Sequence, residues 1–190
     1  MTKKENILKA AARLFASQGF DGTTTLQIAS EAGVTEPLIY YHFTGKDEVF
    51  TSILKAGFDR YFARLKDLEN KGGTAFSRIE RLISLHFSVG DEMPAEAFLI
   101  ISACPAKLND PEHLCRKIVD KQQKWVAAYL RRCIKEGIES GQFVSMPITP
   151  TVDVLIGMIN GAMRRRVLKL EQSKTVREAA VSFCKRALCS

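Results

Sequence analysis

Apolar residues recur along this chain at the three-and-four spacing of a helix, from one end to the other. Ile7, Ala11, Leu14 and Phe15 predict a first helix from about Thr2 to Gln18, with Gly19 at the left-handed position that ends it. Thr23, Thr24 and Thr25 offer capping hydroxyls for a short second helix carrying Leu26, Ile28, Ala29 and Ala32, which Gly33 stops. Thr35 caps a third, with Pro37 tolerated in its first turn and Phe43-Thr44-Gly45 closing it. From Lys46 onward, Phe50, Ile53, Leu54, Phe58, Phe62 and Leu65 line one face of a helix of about 23 residues, roughly 35 Å long.

Lys71-Gly72-Gly73 is the clearest break in the chain. Ile79, Leu82, Ile83, His86 and Phe87 mark the next helix, ending near Gly90, and Pro94 opens a short apolar one through Phe98, Ile101 and Cys104. Asp110-Pro111-Glu112 supplies a cap, a first-turn proline and a first-turn acid for a helix reaching about Ser140. Thr149-Pro150 starts another, through Leu155, Ile156, Ile159 and Met163, and a last runs from about Lys174 to Leu188. No segment alternates like a strand. The expected fold class is all-α.

Composition narrows the function classes. With 190 residues and 46% hydrophobic content the chain can bury a real core. No apolar run approaches the roughly 18 residues of a membrane span, and Lys9 and Arg13 interrupt any leader-like segment, so a cytoplasmic protein without membrane partners is expected. The five cysteines include no CxxC pair, and their spacings fit no zinc pattern, so buried free thiols are the plain reading. Oxidation at Cys104 or another cysteine is the alternative switch. There is no P-loop, GxSxG, HExxH or GxGxxG, and His42, His86 and His113 are scattered. No enzyme, cofactor or metal is implied, and an all-helical enzyme is the rival class. The net charge of +7 suggests an anionic partner. Its distribution does not: residues 1–50 hold five basic against six acidic side chains, leaving the excess to the rest.

The informative stretch is TLQIASEAGVTEPLIYYHFTGK, Thr25 to Lys46. A helix-turn-helix needs a small residue where two short helices cross, and Ala29 supplies it. Four residues on, the turn needs positive φ, which Gly33 adopts without strain. Val34, Ile28, Ile39 and Phe43 then fill the packed face. On the exposed side of the third helix, Thr35, Tyr40, Tyr41 and His42 can donate to phosphate oxygens, as can Lys46. Glu36 at the leading end can accept from a cytosine N4 amine, and Leu38 can touch a thymine methyl. The competing readings are that Tyr40 and Tyr41 pack between domains and that Glu36 is a first-turn acid favoured by the helix dipole.

With AARLFASQGFDGTT, IASEAGV and above all LIYYHFTGKDEVF, residues 3–50 resemble the DNA-binding region of the TetR (tetracycline-repressor) family of bacterial transcriptional regulators. The remainder is similar to that family in layout only. The resemblance implies a helix-turn-helix domain over 1–46 and a ligand-binding and dimerisation domain over 47–190. It also implies a homodimer joined through its last two helices, with a small-molecule pocket among helices four to seven. Thr25, Thr35, Tyr40, Tyr41, His42 and Lys46 occupy positions that touch DNA in the family. The departure is Glu36-Pro37-Leu38, where the family more often carries small or basic polar residues.

In the second half, Phe58, Phe62, Phe87, Phe98, Ile101 and Trp125 would suit an apolar or aromatic effector. An aromatic stripe at this spacing is equally core. His86 is a polar residue on an apolar face, either a hydrogen-bonded core histidine or a group that orients a ligand. Lys117, Lys121, Lys124, Arg131 and Lys135 read as one solvated face. Leu155, Ile156, Ile159 and Met163 are candidates for a dimer seam. The expected function is a ligand-responsive repressor, released from a palindromic double-stranded operator by a small effector.

Overall fold

The computed structural model describes residues 2–102, 110–168 and 175–189. Among them run α1 (Lys3–Gln18), α2 (Thr25–Ala32), α3 (Glu36–His42), α4 (Lys46–Glu69) and α5 (Ala75–Glu92). These are followed by α6 (Pro94–Ser102), α7 (Leu114–Glu139), α8 (Ile148–Val167) and α9 (Val176–Leu188). The described residues contain no strand, only an isolated antiparallel bridge between Phe143 and Cys189. None of their helices is long and apolar enough to cross a membrane.

Local chemistry sets most helix ends. Thr2 and Glu5 close a capping box on α1, and Thr24 and Gln27 close one on α2. Gly33 is left-handed (φ 64°, ψ 41°), and its amide and that of Val34 reach back to Ser30 and Ala29, closing the end of α2. Gly19 differs from expectation: its φ of 82° is positive, but ψ is 166°, an extended glycine-only conformation that swings the chain away. Thr35 holds the N-cap position of α3 without a side-chain capping bond. The Asp110 segment also departs, since Asp110 accepts from the amide of Glu112 in a tight turn and α7 begins only at Leu114.

The chain forms two compact units. The first comprises Met1–Arg60 with Met93–Arg116, and the second Tyr61–Glu92 with Lys117–Ser190. The first therefore extends past residue 46, because Val49, Phe50, Ile53 and Leu54 of α4 are buried and Phe50 packs on Phe15 and Phe20. Around that aromatic trio lie Ile7, Ala11, Ile28, Ala29, Ile39 and Phe43. α1 also packs on α6 in this unit.

In the second unit α5 packs against α8 and α9 over Ile79, Leu82, Ile83, Leu155 and Ile159. Arg166 grips Asp91 through two hydrogen bonds of 2.8 and 3.0 Å. Leu155 and Ile159 are thus core residues (5% and 2% exposed) and not a surface seam, while Ile156 and Met163 are half-buried. The exposed large apolar side chains of α8 and α9 are Val154 and Phe183.

An alanine Cβ at Gly33 would meet no atom within 4 Å, so only backbone strain opposes it. Gly33→Ala is expected to lower stability by about 1 kcal/mol in urea titration. No loss would mean the turn does not require the left-handed conformation.

Candidate nucleic-acid interface and effector half

The helix-turn-helix side chains divide by whether their polar atoms are already engaged. Thr25 donates its hydroxyl proton to Glu36 Oε1 at 2.6 Å, and the Tyr40 hydroxyl lies 3.3 Å from Thr25 Oγ1. The structure thus brings together three predicted DNA contacts from two helices. Lys46 is also engaged: its ammonium donates to the Phe20 carbonyl at 2.7 Å and sits 4.4 Å from the Phe20 ring centre. Instead of reaching freely outward, it ties the start of α4 to the loop after α1, and its two remaining protons stay free of that carbonyl.

Tyr41 is the opposite case, 80% exposed with no hydroxyl partner among the described residues. Its ring meets His42 edge-on at 5.0 Å. Thr35 is exposed with its hydroxyl unused in capping, and Leu38 is half-buried. Residues 44 and 48 supply a further constraint, as the Thr44 amide donates to Glu48 at 2.6 Å and holds that carboxyl below its usual pKa. Leu26, 64% exposed on α2 near this surface, was not singled out as a surface residue. Its signal was phase, since it falls off the Ile28, Ala29 and Ala32 face.

The seven predicted effector residues fall into both units. Phe58 is buried and Phe98 half-buried in the first. The Ile101 side chain and the whole of Cys104 lie outside the described residues. The second unit holds Phe62, His86, Phe87 and Trp125. Trp125 stacks on Tyr129 at 5.1 Å, and the Lys121 ammonium lies 4.8 Å from the Phe62 ring centre. Lys117, Lys121, Lys124, Arg131 and Lys135, on one face of α7, are exposed, as a solvated face should be.

His86 is fully satisfied. Its Nδ1–H donates to the Leu82 carbonyl at 2.8 Å, so Nε2 accepts from the Tyr61 hydroxyl at 2.8 Å, and Gln122 donates to Tyr61 at 3.4 Å. Burial pushes the imidazole pKa below its ordinary value against the opposing pull of Leu82, and burial pushes the Tyr61 phenol up. Tyr61 and Gln122 were not read from the sequence. Tyr61 could have been, because it sits on the same face of α4 as Phe58 and Leu65, where a buried hydroxyl demands a partner.

Of the described thiols Cys115, Cys133 and Cys184 are buried, and Cys189 is half-buried. Desolvation raises the pKa of Cys133 and pushes Cys184 up to about 11. No group of three potential metal ligands occurs among the described residues.

The sequence model described as "Bacterial regulatory proteins, tetR family" matches residues 7–53. The chain is 26% identical over 144 residues to the HTH-type transcriptional repressor KstR2 of Mycobacterium tuberculosis, covering 75% of this chain and 70% of that one. The solved structure of the ketosteroid transcriptional regulator KstR2 of that species superimposes with a TM-score of 0.80, at 19% identity, over 100% and 96% of the two chains. The Bacillus subtilis regulator FadR in complex with stearoyl-CoA superimposes with a TM-score of 0.72, at 20% identity, over 94% and 96%.

Two outcomes follow. Lys46→Ala is expected to lower the stability of the DNA-free protein by about 1 kcal/mol, because the Phe20 carbonyl loses a charged donor. A residue that served only phosphate would leave DNA-free melting unchanged. Acidification is expected to destabilise the second unit. Below about pH 6.5 an unfolded His86 binds a proton that the native imidazole refuses, so stability falls with falling pH by up to about 1.4 kcal/mol per unit. His86→Gln should flatten that dependence in urea titrations between pH 7.5 and 5.5, and an unchanged slope would contradict this origin.

Proposed function

We propose that this chain, whose residues 7–53 match the tetR family of bacterial regulatory proteins, is a homodimeric, ligand-responsive repressor of transcription. Residues 1–46 read DNA, and residues 47–190 carry effector binding and dimerisation. The observation that carries this reading is the geometry of α2 and α3: a buried Ala29–Ile39 crossing, a left-handed Gly33, and a third helix whose outward side chains are polar and aromatic. Two copies of α3 at the spacing of one DNA turn, about 34–36 Å, would enter successive major grooves of a palindromic operator.

Repression is carried over from the mycobacterial relative, whose name describes a transcriptional repressor. An apolar effector accords with the stearoyl-CoA bound by the Bacillus subtilis neighbour. To release DNA, the effector must favour the non-binding state by about 1–3 kcal/mol. α4 is the element we assign to transmission, because it begins at Lys46, shortly after the recognition helix, and itself carries Tyr61 and Phe62 before ending at Glu69.

Affinity selection of fragmented genomic DNA from the source organism tests the reading. A short inverted repeat should be enriched; no enrichment at low salt would overturn it. On the recovered repeat, Tyr41→Phe should weaken binding about fivefold to tenfold, the loss of one hydroxyl contact, without changing the melting temperature. Unchanged affinity would remove Tyr41 from the interface.

A further inference from the structure

Three side chains link α2 to α3 on the outer face of the first unit, and proton counting fixes the direction of that link. Thr25 donates to Glu36 Oε1 at 2.6 Å, while the Tyr40 hydroxyl is 3.3 Å from the same threonine oxygen. A threonine hydroxyl has one proton, and a carboxylate has none to give. The Thr25 proton therefore goes to Glu36, and Tyr40 must donate its own to Thr25. The link runs Tyr40 to Thr25 to Glu36. What the link has left to offer a partner is acceptors only, namely the lone pairs of the Tyr40 oxygen and the second carboxylate oxygen of Glu36.

Phosphate oxygens are acceptors too, so this trio is mismatched to the DNA backbone as it stands. Base edges do offer donors in the major groove, at cytosine N4 and adenine N6. Adenine pairs its donor with the adjacent N7 acceptor, whose lone pair repels a carboxylate, whereas the ring position beside cytosine N4 carries only C–H. We propose that Glu36 selects a cytosine at one position of each operator half-site, with Thr25 as the residue that positions its carboxylate. Tyr40 acts beside it as an acceptor, not as a phosphate clamp. This rests on the reading of α3 as the recognition helix. Glu36 is half-buried and Tyr40 is 55% exposed, so both side chains keep part of their surface open to a partner.

Selection from a randomised duplex library tests the proposal, using the wild type, Glu36→Gln, Thr25→Val and Thr25→Ser. The wild type should require cytosine at one position per half-site. Glu36→Gln, whose amide matches adenine N6 and N7, should move that position to adenine by about fivefold or more and leave the others unchanged. Thr25→Val should broaden the same position, and Thr25→Ser should restore it. Identical base preferences in the wild type and Glu36→Gln overturn the proposal while leaving DNA recognition standing. A wild type that enriches no sequence overturns both. Should Glu36→Gln fail to fold, the Thr25 pair decides, and equal preferences in its Val and Ser forms overturn the assignment.

Discussion

The crossing of α2 and α3 is the constraint on which the rest depends. Seven residues of α3 are too few to be helical alone, so its shape comes from packing. Ile39 is fully buried, Ala29 offers only a methyl group at the crossing, and Ile28 and Phe43 close the two sides. The left-handed Gly33 turns the chain within one residue, and the Val34 amide completes the end of α2. With those contacts made, Thr25 and Glu36 come within hydrogen-bonding distance, and Tyr40 and Tyr41 are left on the outside. The recognition surface is a consequence of a core only a few side chains wide.

What was legible in the sequence was mostly local. The helix start near Thr2, the capping hydroxyls at Thr23–Thr25, the glycine at 33 and the apolar period of α5 each depend on neighbours within a few residues, and the structure has them where the pattern puts them. The failures share a cause. Leu155 and Ile159 look like a seam from their period alone, yet α5 covers them, and periodicity does not say which neighbour does the covering. Lys46 looks like a free cation until Phe20, far away along the chain, supplies a carbonyl and a ring. At Asp110 a local side-chain bond competes with helix formation and wins, delaying α7 to Leu114.

The candidate site was visible as a set of residues but not as a network. Spacing places Thr25, Glu36 and Tyr40 near one surface; only the fold shows that they satisfy one another and so change what they can offer a partner. His86 behaves likewise. A polar residue on the apolar face of α5 signals a function or a partner, and the partners, Tyr61 and Gln122, come from helices remote in sequence.

One tension remains instructive. The first fifty residues carry slightly more acid than base, and the positive excess lies elsewhere, including the exposed lysines of α7. A site that binds DNA there must rely on neutral donors, backbone amides and base contacts more than on bulk charge. Amide hydrogen exchange with and without the selected DNA separates the possibilities most directly. The account predicts new protection concentrated in residues 24–43, with α7 unchanged. Protection confined to the basic face of α7, with α2 and α3 unaffected, would contradict it.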